Sequence, residues 1–143
     1  MKTLLLIGRT GSGKTTFCQA MAGEKINYKK TQAPEFLKDA FLDTPGEYIE
    51  NRLYSAISVL SADCDVIAIF QECTNLDIIF PPSFAGMFAK PLIGIITKMD
   101  LCEKNSDIER VEEILRMAGA ERIFRISSLN RTGFKEIKEY IEN

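Results

Sequence analysis

The chain of 143 residues contains no histidine. Any general base it uses is therefore a carboxylate, a lysine or a phosphate of its own substrate. Its four cysteines, Cys18, Cys64, Cys73 and Cys102, lie far apart and form no C-x-x-C motif. A structural zinc site would need all four to converge, so the pattern reads as reduced thiols of a cytoplasmic protein. Charge of one sign is also missing: 18 Lys and Arg stand against 20 Asp and Glu, a formal net charge of −2. With no dense basic stripe, that balance argues against a nucleic-acid partner. No apolar run approaches bilayer length, so no membrane span is expected. The stretch Leu4-Leu5-Leu6-Ile7 is too short for the apolar core of a secretory signal.

What is present begins directly after that stretch. Gly8-Arg9-Thr10-Gly11-Ser12-Gly13-Lys14-Thr15-Thr16 fits G-x-x-x-x-G-K-[ST], with an apolar strand before it and a helical pattern after it. Glycines let the backbone turn tightly and point successive N–H groups inward as an anion nest. The following helix adds the positive end of its dipole. Lys14 supplies a cation for the β- and γ-phosphates of a nucleotide, and the Thr15 hydroxyl a ligand for Mg²⁺. A glycine-rich strand–turn–helix corner without a ligand is the competing explanation, and the flanking pattern disfavours it.

Length, 45% hydrophobic and 27% charged residues describe one ordinary globular domain over residues 1–143. Apolar runs alternate with helical patterns, which predicts an α/β fold: a mostly parallel central sheet flanked by helices on both faces. The predicted strands are Thr3–Gly8, Ala40–Asp43, Val66–Gln71, Pro91–Thr97 and Arg122–Ile126, with a short one at Glu35–Leu37 closing a polar loop. Val66–Phe70 and Leu92–Ile96 are apolar throughout, as strands covered on both sides are. The predicted helices are Gly13–Met21, Ile49–Ala62, Ser106–Ala118 and Gly133–Glu142. Ile108, Val111, Ile114, Leu115 and Ala118 recur at helical spacing and mark core; Ser106 and Glu109 have capping-box spacing at that helix's start. Phe134, Ile137, Ile141 and the stem of Lys138 make a similar stripe. Gly23–Lys38, Thr74–Phe88 and Asp100–Asn105 resist regular assignment, apart from a short helix around Ser83–Phe88 after Pro81-Pro82.

Further motifs sit at strand ends. Asp43-Thr44-Pro45-Gly46 offers an Asp that can hold Mg²⁺ through water and a glycine N–H that can meet a γ-phosphate. Alone, D-x-x-G is weak, since many strands end in such a turn; its place at the tip of the next core strand strengthens it. Thr97-Lys98-Met99-Asp100 ends another strand. There the Asp100 carboxylate can accept from N1–H and the 2-amino group of guanine, with the Lys98 stem against the base. Adenine lacks that donor pair, so the carboxylate selects against it. A merely solvated strand end is the alternative. Ser127-Ser128-Leu129 can close over the other side of the base, and Thr31, in the loop after the first helix, can add a hydroxyl to Mg²⁺. A solvent-facing threonine is equally consistent with Thr31.

Taken in order, these motifs resemble the Ras-like, translation-factor-related class of P-loop GTPases, and the likeness spans the whole chain. More specifically, Gly8–Thr16, Lys30-Thr31-Gln32-Ala33, Phe80-Pro81-Pro82-Ser83-Phe84-Ala85 and the run Asp43-Thr44-Pro45-Gly46-Glu47-Tyr48-Ile49-Glu50-Asn51-Arg52 are similar to the EutP/PduV family. These are small P-loop proteins encoded with the ethanolamine- and propanediol-utilisation enzymes of bacterial microcompartments. The resemblance implies the three-layer P-loop NTPase fold, with a second strand that is short or missing because few residues separate Thr31 from Asp43. It also implies a role in ethanolamine or propanediol catabolism, cytoplasmic or beside a microcompartment. Some members are described as acetate kinases that transfer phosphoryl between ATP and acetate.

Departures from the Ras-like pattern bear on rate. Glu47 stands where many such GTPases carry the glutamine that orients water, and a carboxylate beside a γ-phosphate is repelled. Thr10 replaces a glycine, leaving less room there. Intrinsic hydrolysis is therefore expected to be slow, ~10⁻³ s⁻¹ or below. Three readings follow. The first is a GTP/GDP switch in which Lys14, Gly46 and Glu47 face the reacting phosphate. The second is an ATP-dependent phosphotransferase to a small carboxylate, for which Arg9 and Arg52 are the candidate cations. The third is a nucleotide-bound scaffold, monomer or dimer, docking on a shell protein or utilisation enzyme through Tyr48–Tyr54 or Ile78–Phe88.

Overall fold

The computed structural model describes residues 2–21, 35–37 and 40–143. Thr31 and the loop around it lie outside the described residues. The strands are β1 (Leu4–Ile7), β2 (Glu35–Leu37), β3 (Phe41–Asp43), β4 (Val66–Glu72), β5 (Leu92–Thr97) and β6 (Arg122–Arg125). They form one sheet in the order β2-β3-β1-β4-β5-β6. β3, β1, β4, β5 and β6 run parallel, and the three-residue β2 pairs antiparallel with β3 at the edge. The expected α/β architecture is present, and the second strand is short.

Alternating side chains explain the layers. β1 sends Leu4 and Leu6 to one face, where they meet Phe17 of α1 (Lys14–Met21) and Phe134, Ile137 and Ile141 of α5 (Phe134–Glu142). Leu5 and Ile7 point the other way, to Ile49 of α2 (Glu47–Glu50), Ile57 of α3 (Tyr54–Ser61) and Val111 and Leu115 of α4 (Asn105–Met117). Burial on both faces removes any polar side from β1, which is why it reads as an unbroken apolar run. Phe17 sits 5.3–5.6 Å from the rings of Phe41, Phe70 and Phe134. Such ring pairs are worth about 0.5–1.5 kcal/mol each beyond their burial. They pin α1, and so the loop that precedes it.

Three local expectations are corrected. The predicted helix Ile49–Ala62 is two helices, broken at Asn51–Leu53. Arg52 adopts a left-handed φ of 54°, Arg52 N–H donates to Ile49 O (3.2 Å) and Leu53 N–H to Tyr48 O (2.8 Å). That is a Schellman closure, without the glycine that would have announced it. The predicted capping box does not form: α4 starts at Asn105, its cap is Lys104, and no side chain caps it. Lys138 lies exposed, and Tyr140 flanks the apolar stripe of α5 in its place. The segment around Ser83–Phe88 contains a 3₁₀ turn over Phe84–Met87.

Because the strands next to β1 are parallel, their C-terminal ends share one rim. The chain leaves β1 toward β3 on one side and β4 on the other, and such a switch point opens a crevice outside the strand ends. Residues 8–16, 43–50, 72–73, 97–100 and 127–129 all follow strand ends on that rim.

Candidate functional site

The loop 8–13 turns between β1 and α1 with Gly11 at φ +86° and Gly13 at φ +102°, a backbone region that L side chains rarely adopt. Ser12 N–H donates to Arg9 O (3.0 Å), closing the turn. Lys14 is 6% exposed, and its ammonium donates to Gly8 O at 2.6 Å and Arg9 O at 3.4 Å. Burial pulls its pKa below the usual lysine value; the charges of Asp43, Glu50, Cys18 and Glu47, in that order, act against the shift. A phosphate beside Nζ would supply the counter-charge that burial has made valuable. Thr16 is half-buried on the first turn of α1, while Arg9 and Thr10 are exposed.

Asp43 is fully buried at the end of β3, and the Thr15 hydroxyl donates to its Oδ2 at 2.7 Å. A hydroxyl and a carboxylate brought together in a buried place are hard oxygen donors, the type that suits Mg²⁺. Thr44, also buried, donates from Oγ1 to Leu6 O (2.7 Å), tying this turn to β1. Gly46 has an ordinary helical φ of −58°. What forbids a side chain there is contact: a Cβ would overlap the nitrogen and hydroxyl of Thr10. The D-x-x-G turn therefore lies directly against the glycine-rich loop. Glu47, half-buried, opens α2.

At the other end of the rim, Thr97 is buried and donates from Oγ1 to Ser12 O at 2.6 Å. Lys98, in a left-handed conformation (φ 60°), donates from Nζ to Gly11 O at 2.7 Å and pairs with Glu72 at 3.0 Å. Asp100 is exposed within the 3₁₀ turn Met99–Leu101 and accepts at Oδ1 from the hydroxyl of buried Ser127 at 2.7 Å. Ser128 is half-buried and Leu129 is 60% exposed, so the loop presents an apolar side chain beside Asp100's partner. Among the described residues, the sequence-predicted site residues all lie along this rim. Arg9 and Arg52 are both exposed.

Two residues escaped the sequence reading. Glu50 accepts from Thr10 N–H at Oε2, 2.7 Å away, and Glu72 anchors Lys98. Glu50 lies inside the run Asp43–Arg52, but its partner Thr10 is 40 residues away in the chain. Glu72 is simply the last residue of β4 and carries no motif.

Comparison with known proteins fits this geometry. Solved structures with the same fold include a probable GTP-binding protein engB, at TM-score 0.70 and 18% identity over 97% of this chain and 96% of that one. The structure of the SsGBP mutation variant G235S gives TM-score 0.62 and 16% identity over 99% of this chain and 54% of that chain. At these identities the likeness is one of fold. Among curated sequences, the propanediol utilization protein PduV of Citrobacter freundii is 41% identical over 138 residues, 96% of this chain and 91% of that protein. A protein named "Probable acetate kinase EutP" from Escherichia coli K12 is 28% identical over 144 residues, 99% of this chain and 89% of that one. The profile of the PduV–EutP family, ethanolamine utilisation and propanediol utilisation, matches residues 1–143. The chain, with its GTPase-like α/β fold, belongs to the PduV–EutP family.

Proposed function

We propose that this chain is a single guanine-nucleotide-binding unit of ethanolamine or propanediol utilisation that binds GTP with Mg²⁺ and hydrolyses it slowly as a switch. The observation that carries this reading is the direct coupling of the T-K-x-D motif to the phosphate loop through Thr97 Oγ1 to Ser12 O and Lys98 Nζ to Gly11 O. Those bonds tie the segment that carries Asp100 to the glycine-rich loop, which supports a base-reading carboxylate acting beside a phosphate nest rather than a corner with no ligand. The amides of residues 11–16 receive the β-phosphate, and Lys14 turns from the loop carbonyls to the β- and γ-oxygens. Gly46 N–H faces the γ-phosphate. Asp100 accepts from the guanine edge, with the Lys98 stem along the base and Ser127 to Leu129 closing the far side. Thr15 and Asp43 would hold Mg²⁺, with Thr31 the further ligand expected from the sequence, and the ion would supply positive charge to offset that of the triphosphate. Glu47 replaces the water-orienting side chain with one that repels the γ-phosphate, so turnover stays slow without a partner. Calorimetric competition of GTP against ATP tests the reading. A clear GTP preference that Asp100→Ala abolishes supports it, and an ATP preference indifferent to Asp100 overturns it.

The name of the curated EutP relative favours a second reading, transfer of the γ-phosphoryl of ATP to acetate, giving acetyl phosphate and ADP. It needs cations for the acceptor carboxylate, and Arg9 and Arg52 are the ones at hand. Acetyl phosphate formed by the parent but not by Lys14→Ala would establish it. The family link supports a cytoplasmic protein that acts beside a microcompartment shell or a utilisation enzyme.

A further inference from the structure

Glu50 reaches across from α2 to the phosphate loop. Its Oε2 accepts from Thr10 N–H at 2.7 Å, lies 2.7 Å from where a Cβ on Gly46 would stand, and adds to the negative field on the Lys14 ammonium. A carboxylate on a phosphate-loop amide, beside the loop's lysine, is an anion placed where a phosphate oxygen would find its own donors. The Schellman closure at Arg52 ends α2 at Glu50, the residue whose side chain meets the loop.

We propose that Glu50 is a latch that discriminates triphosphate from diphosphate: its carboxylate closes the D-x-x-G segment onto Thr10, and an incoming γ-phosphate must displace it. The inference rests on the nucleotide reading above. A diphosphate fills the nest of residues 11–16 without reaching Thr10 and Gly46, so the latch stays shut. A γ-phosphate enters beside Gly46 and meets a carboxylate of like charge. Glu50 then leaves Thr10, and α2, which carries it, loses this hydrogen bond to the loop while its N-cap Gly46 stays beside Thr10. The triphosphate state is thereby read out as release of Tyr48–Glu50 rather than as a change in the loop itself. Glu50 is exposed, so water and salt screen the repulsion, which sets its size at the modest end for a close pair.

Glu50→Gln tests the latch, because an amide oxygen can still accept from Thr10 N–H but carries no charge. Affinities of parent and variant for GTP, GDP, ATP and ADP with magnesium are measured by calorimetry, with Glu136→Gln, exposed on α5, as the control for net charge. The variant is expected to raise the triphosphate-to-diphosphate affinity ratio about five- to tenfold, through the triphosphate alone. Added salt should move the parent's ratio toward that of the variant and leave the variant's ratio in place. An unchanged ratio, a triphosphate affinity that falls, or an equal gain from Glu136→Gln overturns the latch while leaving the nucleotide reading standing. A parent that binds none of the four nucleotides overturns both. Thermal melting of each variant without nucleotide confirms that the comparison is between folded proteins.

Discussion

At the phosphate end of the rim, residues 8–16 are held by buried groups and by backbone: Lys14 on Gly8 O, Thr15 on a fully buried Asp43, and Gly46 packed against Thr10. At the base end, Asp100 is exposed, and the hydrogen bond from Ser127 is the contact that orients its carboxylate. The two ends are joined by Thr97 and Lys98, which reach back to loop carbonyls. On the proposed reading, the triphosphate would meet the half of the site that holds the buried Lys14 and Asp43. Selection among bases would fall to an exposed side chain, Asp100, where a substitution would change preference without disturbing the core.

The sharpest way to break that contrast is Lys14→Ala. Removing the loop's cation is expected to weaken every nucleotide by about a hundredfold or more, as calorimetry would read, since a charge-assisted contact in a buried place is lost. Gly46→Ala comes next: its Cβ cannot fit against Thr10, so denaturant unfolding should show a loss of about 1–3 kcal/mol, and the D-x-x-G turn should separate from the loop. Asp100→Ala should leave stability within about 0.5 kcal/mol, being exposed, while lowering GTP affinity about tenfold or more and leaving ATP affinity unchanged. Ser127→Ala removes the bond that aims Asp100, and about a threefold loss for GTP is expected in the same titration.

The smallest effect concerns pH. The folded-state pKa of Lys14 lies below 10.5 because burial penalises its charge. Between that lowered value and 10.5 the unfolded chain holds more protons, so this group makes stability rise with pH across that window; below it the penalty is complete, and above it the penalty is gone. Melting curves of the parent against Lys14→Met should isolate this rise, which the variant lacks. In the same alkaline range the thiols of Cys64 and Cys73, pushed up to about 11 and about 12, chiefly by burial, stay protonated longer than an ordinary cysteine. Alkylation should reach Cys102, which is part-exposed, ahead of these two buried thiols.

The candidate site was legible in the sequence because glycines and a lysine at fixed spacing fall on one short local stretch, Gly8–Lys14. The same holds for the strands β4 and β5, whose two covered faces leave continuous apolar runs, and for α4, whose stripe repeats at helical spacing. Local signals failed where tertiary contact overruled them. Nothing in Asn51-Arg52-Leu53 announces a helix end, because the left-handed residue is an arginine; the break exists to let α2 face the loop while α3 packs Ile57 into the core. The Ser106 and Glu109 spacing suggested a cap, but α4 begins a residue earlier.

From the sequence alone came the residues that would hold phosphate, metal and base, and the alternation that requires a doubly covered parallel sheet. These depend on short-range geometry and on burial periodicity, both written in neighbouring residues. Only the folded chain decided that Glu50 meets Thr10, that Lys98 is anchored by Glu72, and that Ser127 aims Asp100. Those contacts join segments far apart in the chain, and their distances follow from strand order and the angle at which each strand end leaves the sheet, which no local pattern encodes.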